Sequence, residues 1–403
     1  MFSLSTSGAR AQSAIDRRVS AIPAATLLSQ SPAQLVDPNR QAAAQYYARY
    51  TRPAWFVWIG LQILALLYLW GSGRAARVRD WLRRTLPNIH LVRFVFGAFL
   101  ALVLQAAALP AHFYDYRILR IMEVSTQPPA SFWSDVLLNL VLQMLLFGAA
   151  VGLILWMVDR TRLWWLYVML LVFAGTFFIS SIYPVAIQPL FNHFTVVSTD
   201  KPLGKRLHDL ARKAGEGDVP IYVSDLSRRT KTGDAYVDGL GPSKRIVVGD
   251  TFMNSATPDE VVFLVAHEIG HDVHHDVLRG TLFAAVIFIF GAALAVLISD
   301  RIGFRRDDDP LSRLALVGAL LVCMYLLFLP AINGYSRGIE SEADAYALSL
   351  DPDRVAGTRS YVRLADEGLS LVCPGRLARL FWYSHPPIGT RISRANGKPN
   401  PCP

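Results

Sequence analysis

His267, Glu268 and His271 are spaced as HExxH inside the stretch VVFLVAHEIGHDVHHD, residues 261–276. On a helix, residues four apart stand one turn above each other on the same face. Two imidazoles so placed can hold one Zn2+ ion, and the intervening Glu268 carboxylate is placed to serve as general base in a hydrolysis. Three fixed letters also occur in ordinary helices with a wet side, so the motif needs a partner. A second stretch, SRGIESEAD at 336–344, places Glu340 and Asp344 one turn apart. Glu340 would complete a His2Glu ligand set with one coordination position open. Asp344 would accept the free ring N–H of a ligand histidine.

The flanks indicate how these residues are positioned. Thr257, Pro258 and Glu260 read as N-cap, first turn and reciprocal capping carboxylate of a helix. Val261, Val262, Leu264, Val265 and Ala266 then predict that this helix is buried, a rigid support for a metal. His274 and His275 read as continuing it, with His275 in line with His271; both are taken as solvent or interface residues, a second metal being the alternative. Upstream, 203–214 predicts an amphipathic helix, and 220–224 and 245–249 predict short strands, the latter after a turn at 239–243. The strand running just before the HExxH helix would form one edge of a cleft and pair with extended substrate; a plain structural hairpin is the other reading. Downstream, Pro386 and Pro387 break any helix, so His385 sits at a turn.

The rest of the chain is built for lipid. Of 403 residues, 53% are hydrophobic, and they come in long blocks rather than scattered through a soluble core. Six blocks, 54–70, 91–109, 132–158, 163–183, 282–298 and 314–329, approach bilayer length, with Trp and Tyr clustered at their ends. The expected fold class is mainly α: a polytopic membrane helix bundle of about six spans, with a metalloprotease catalytic domain containing a short β-sheet. The net charge of +9 is carried mostly by arginines beside the apolar blocks, where lipid headgroups explain them. No basic patch interleaves with exposed aromatics, so nucleic acid is not an expected partner. Residues 1–52 lack the pattern of a signal peptide and are read as a mobile or surface-lying polar tail, helical over 41–50. The expected division is 1–52 tail, 53–191 four spans, 192–280 catalytic insert, 281–332 two further spans and 333–403 the C-terminal catalytic part. The three cysteines, Cys323, Cys373 and Cys402, show no metal-ligand or redox spacing; a Cys373–Cys402 disulfide is an alternative to the free thiols preferred here.

Taken together these stretches resemble the type I CAAX prenyl proteases, integral-membrane zinc endopeptidases, and their relative the bacterial heat-shock membrane protease. The resemblance runs from the first span to Arg391. It is carried by IYPVAIQPLFN at 182–192, by 236–250, by HEIGH at 267–271, by 336–344 and by HPPIGTR at 385–391, in the family's order. It implies one Zn2+ per chain held by His267, His271 and Glu340. Glu268 would take a proton from the attacking water and hand it to the leaving amine. Asp344 would orient a ligand histidine, Asp276 would cap or support the site, and His385 and Arg391 would stabilise the oxyanion. Asp234, Ala235 and Tyr236 would hold substrate, although the family usually has Asn where this chain has Asp234, and an aspartate cannot donate the same hydrogen bond. The family usually has seven spans; here the first is missing.

The expected function is zinc-dependent hydrolysis of a peptide bond in a peptide or protein substrate, membrane-associated or lipidated, at or in the bilayer. The alternatives are broad-specificity quality control of membrane proteins and, from a different class, a non-catalytic scaffold or metal transporter. The last would need acidic and His residues inside the spans, which are poor in them. The chain is placed in the membrane as a multi-pass protein, the cell membrane if it is bacterial. Six spans put both flanking segments and the insert on one face. The resemblance puts that face in the cytoplasm, and this is adopted as the expectation. Arg74, Arg77, Arg79, Arg83 and Arg84, with Arg301, Arg305 and Arg306, lie on the opposite face and argue against it; the acidic 307–309 barely counts.

Overall fold

In the computed structural model, residues 14–217, 219–303 and 309–402 are described. Arg305, Arg306 and the acidic positions 307 and 308 lie outside them, as do the first thirteen residues of the expected tail. The chain divides into two compact units. One comprises Met1–Gln45, Asn192–Asp276 and Ser336–Pro403; the other comprises Tyr46–Phe191 and Val277–Tyr335.

Among the described residues six helices are long and apolar enough to cross a membrane: Pro38–Gly71, Ile89–Ile121, Pro129–Arg160, Trp164–Leu190, Asp276–Ile302 and Pro310–Leu350. The six expected blocks lie on them, the fourth starting one residue earlier, at the cap residue Leu163. Uniformly apolar faces suit a lipid surround, where the intrahelical ladder must satisfy every backbone group. Large apolar side chains such as Leu137, Leu145, Val286 and Leu297 are accordingly exposed. Two of these helices pack through small residues. A Cβ added at Gly97 would lie 2.6 Å from the Phe147 carbonyl, and one at Gly148 would lie 2.8 Å from that of Phe94. Only glycine permits that approach. A further helix, Arg74–Thr85, is short and arginine-rich and is not a span.

The other unit contains a sheet of four strands in the order β1-β2-β4-β3, with β1 Phe194–Val196, β2 Ile221–Ser224, β3 Ala235–Asp238 and β4 Arg245–Gly249. β1 runs antiparallel to β2, β2 parallel to β4, and β3 antiparallel to β4. Of the two readings of the strand preceding the HExxH helix, cleft edge or structural hairpin, the sheet supports the hairpin, since β3 and β4 pair antiparallel across the turn between them. β4 is central and buried along its length, and the edge is β3. The apolar run Ile246–Val248 is what a strand covered on both faces requires.

The N-terminal region is the first correction. Residues 14–36 are no loose tail: helices Ala14–Ser20, Ala24–Ser29 and Pro32–Leu35 place Val19, Leu27, Leu35 and Val36 in the same core as Val261, Phe263 and Ile269. Arg18 donates to Asp366 at 2.6 Å, and the fully buried Arg363 bridges Glu260 at 2.8 Å and Asp16 at 3.2 Å. One apolar anchor per short helix suffices to seal a core edge, so average hydropathy did not reveal the packing. The second correction is the disulfide: Cys373 and Cys402 are bonded, 29 residues apart. Closing a loop of that length restricts the unfolded chain by about 3–4 kcal/mol.

Candidate metal centre

The helix that carries the motif, Pro258–Val273, starts on the expected reciprocal cap. Glu260 N–H donates to Thr257 Oγ1 at 3.4 Å and Thr257 N–H donates to the Glu260 carboxylate at 3.3 Å. Every residue from Glu260 to Asp272 is buried. The helix does not continue through His274 and His275, contrary to expectation. His274 caps it and packs edge-on against Tyr346, and His275 has φ +55° and is exposed. That left-handed residue turns the chain so that Asp276 returns beneath His271, whose Nδ1–H donates to Asp276 Oδ2 at 2.9 Å.

Glu340 arrives on the helix Pro310–Leu350. Gly270, inside the motif, allows the approach: a Cβ there would lie 3.2 Å from the Ala343 Cα and from Tyr346 Cβ. The result is a compact triangle. His267 Nε2 lies 3.1 Å from His271 Nε2 and 3.2 Å from Glu340 Oε2, and His271 Nε2 lies 3.6 Å from Glu340 Oε1. Ligands at about 2.0–2.1 Å from a tetrahedral Zn2+ stand roughly 3.3 Å apart, so the triangle is the right size. Among the described residues these three form the one group of His, Cys, Asp or Glu able to hold an ion.

The protons make the same point. His267 Nδ1 faces Asp344 Oδ1 at 3.1 Å, as His271 Nδ1 faces Asp276. With both Nδ1 atoms facing carboxylates, both Nε2 atoms point into one small space. Glu340 Oε2 is buried there without a hydrogen bond. Two imidazole nitrogens and a carboxylate oxygen converging so closely favour positive charge between them, and the donor set fits a divalent cation. The field is visible on His267: burial and Arg391 pull its pKa down, but Asp344 and Glu340 outweigh them and bring it to about 9.

Glu268 lies buried beside the triangle, its pKa raised by burial against the opposing pull of His267 and His271. His385 Nε2 is 3.1 Å from Glu340 Oε1, and its side chain is 56% exposed, so its ring borders the site from the open side. Arg391 reaches the site from its buried side. It is buried, with Nη2 at 2.7 Å and Nε at 3.1 Å from Asp344 and its guanidinium 4.5 Å over the Tyr361 ring. A guanidinium so engaged holds the carboxylate that orients His267, and its Nη2 also lies 3.3 Å from His267 Nε2 and 3.8 Å from Glu340 Oε2, at the border of the triangle. Asp234 precedes the β3 edge. Its carbonyl accepts Gly249 N–H at 2.8 Å, and its pKa is raised to about 7, chiefly by burial and then by Glu268. Ala235 and Tyr236 pair with Val248 and Val247 across the sheet.

Sequence reasoning missed three supporting residues. Tyr361 donates to Asp344 at 2.6 Å, Arg394 donates to the same carboxylate at 3.2 Å, and Glu367 accepts the Gly233 N–H at 2.9 Å, one residue before Asp234. Tyr361 and Glu367 lie on the helix Arg354–Glu367, where a buried aromatic reads as ordinary core. Arg394 lies one turn beyond Arg391 and could have been found from that spacing.

Residues 198–398 match peptidase family M48, and residues 24–193 match the family described as CAAX prenyl protease N-terminal, five membrane helices. The chain is 29% identical over 390 residues to the uncharacterized metalloprotease YhfN of Bacillus subtilis (strain 168), covering 94% of this chain and 91% of that protein. A CAAX prenyl protease 1 homolog of Oryza sativa subsp. japonica is 29% identical over 232 residues, 55% of this chain and 53% of the relative. A protease HtpX homolog of Bordetella petrii is 30% identical over 160 residues, 34% of this chain and 52% of the relative. The fold is similar to the crystal structure of S. mikatae Ste24p, with a TM-score of 0.75 at 23% identity, over 96% of this chain and 100% of that one.

Proposed function

This chain belongs to peptidase family M48 and is a multi-pass membrane metalloendopeptidase, and on that premise we propose that its metal is a single zinc ion held by His267, His271 and Glu340. The observation that carries the reading is the two Nε2 atoms and Glu340 Oε2 converging within tetrahedral reach of one point. Zinc is chosen because two imidazoles, one carboxylate and an open position are its usual hydrolytic set. When bound, the ion supplies Lewis acidity at a substrate carbonyl.

The chain's own residues do the rest. Glu268 removes a proton from the attacking water and returns it to the departing amine nitrogen. His385, at the open side of Glu340, donates to the oxyanion as the carbonyl carbon becomes tetrahedral. Arg391 acts through Asp344 to hold His267 in its tautomer. An extended polypeptide adds to the free edge of β3, and backbone pairing there sets its direction past Glu268 without reading its sequence. That mode favours a polypeptide substrate of loose sequence preference, associated with the membrane in which the protein sits.

The test is Glu268→Gln in purified protein. Metal content should be unchanged while cleavage falls by about 10²–10⁴-fold; near-normal turnover would remove Glu268 from its role. Comparing prenylated and unprenylated versions of one peptide then fixes the substrate class. Equal cleavage supports backbone recognition, and cleavage of the prenylated form alone would replace it with lipid recognition.

A further inference from the structure

Two features unused by the catalytic reading bear on where the enzyme works. The first is the Cys373–Cys402 disulfide, in the same compact unit as His267, His271 and Glu340. Its 29-residue loop contains both His385 and Arg391. Cys402 is buried, its sulfur 3.2 Å from the Val372 carbonyl, and that carbonyl also accepts the Gly389 N–H at 3.0 Å, two residues before Arg391. The bridge therefore fastens the turn that presents both residues. Forming it takes two electrons and two protons from the thiols to a disulfide-bearing oxidase, by exchange through a mixed disulfide. Such bridges persist on the oxidising side of a membrane and are rare in the cytoplasm.

The second feature is the distribution of arginine over the short connections between spans. Between the first and second spans lie Arg74, Arg77, Arg79, Arg83 and Arg84. Between the third and fourth lies Arg162, with Arg160 at the end of the third, and between the fifth and sixth lie Arg305 and Arg306, with Arg301 at the end of the fifth. By alternation all three connections share one face. The other face has Arg117 and Arg120 beside its one short connection, Arg40, Arg49 and Arg52 at the start of the first span, and Arg279 at the start of the fifth. The insert and the C-terminal part also belong to that second face. They are long, and long segments cross largely regardless of charge. The positive-inside bias therefore places the three arginine-rich connections in the cytoplasm.

We propose that the metal site faces the oxidising, non-cytoplasmic side of the membrane, and that its substrates are polypeptide segments exposed on that side. Disulfide chemistry and loop charge are independent, and they agree. Together they displace the cytoplasmic catalytic face that the resemblance implied. The inference rests on His267, His271 and Glu340 being the catalytic centre, but its test needs no catalysis.

The full chain, expressed in a bacterial inner membrane, is fused after Pro403 to alkaline phosphatase, which is active only outside the cytoplasm, or to green fluorescent protein, which fluoresces only inside. Phosphatase activity without fluorescence is expected; fluorescence without phosphatase activity overturns the orientation. In parallel, the Cys323→Ala chain is acid-quenched in cells and labelled with a maleimide polymer before and after reduction. No labelled thiol before reduction and two after it are expected; two labelled thiols before reduction overturn the redox half of the inference. An inactive metal site would leave both readouts unchanged, and the Glu268→Gln assay judges that question separately.

Discussion

His267 and His271 stand one turn apart on one helix, yet their supports differ. His267 rests on Asp344, from a helix more than seventy residues on, and Asp344 is held in turn by Arg391, Arg394 and Tyr361. His271 rests on Asp276, delivered by the turn at the end of its own helix. The first support is long-range and highly charged; the second is local. The same task, fixing a ring so that Nε2 points at the metal, is met by two kinds of construction. The long-range one also ties the Glu340 helix to the C-terminal segment carrying Arg391, so it carries fold as well as chemistry.

The largest effect should therefore come from Asp344→Asn. It leaves the buried Arg391 guanidinium short of its partner and should cost about 3–5 kcal/mol of stability, along with a metal affinity loss above the usual second-sphere value. Chemical denaturation and metal titration in detergent would measure both. Asp276→Asn should lower metal affinity by about 10–100-fold while costing only about 1 kcal/mol of stability. Equal stability losses in the two variants would break the distinction between a structural and a local support.

The smallest effect should come from a group outside both supports. Burial raises the Glu367 pKa from 4.5 to about 8, against the Gly233 N–H and the Arg363 charge. Its folded pKa is above its unfolded one, so the folded state holds the proton longer. Its stabilising contribution is complete below pH 4.5 and fades as pH rises towards 8. Glu367→Gln should flatten that part of the stability profile and leave metal affinity unchanged. A shift in metal affinity would mean that Glu367 belongs to the His267 support after all.

The metal triangle was legible in the sequence because its spacing rules are local. HExxH fixes two ligands by helix geometry alone, and Glu340 and Asp344 repeat the one-turn interval. The capping box at Thr257 and the apolar spans were legible for the same reason. What could not be read was decided by distant contacts. The strand at 245–249 became the centre of the sheet because β3 pairs on its outer side, and β3, Ala235–Asp238, carries no apolar run to announce it. Residues 14–36 look like a polar tail because their anchors are single residues, Val19, Leu27 and Leu35, whose partners lie hundreds of positions away. Arg391 was found, but its hold on Asp344 was not. Its residue type fits an oxyanion donor, and only the positions of Asp344 and Tyr361 show where the guanidinium is held. His275 failed for a backbone reason, a left-handed turn that no helical rotation could foresee.

The central claim is that three side chains from two distant stretches converge on one ion. It is tested most directly by the metal content of purified wild-type protein and of Glu340→Ala, measured by mass spectrometry of the eluted metal. One zinc per chain in the wild type and a clear loss in Glu340→Ala are expected. Full occupancy in the variant would contradict the claim.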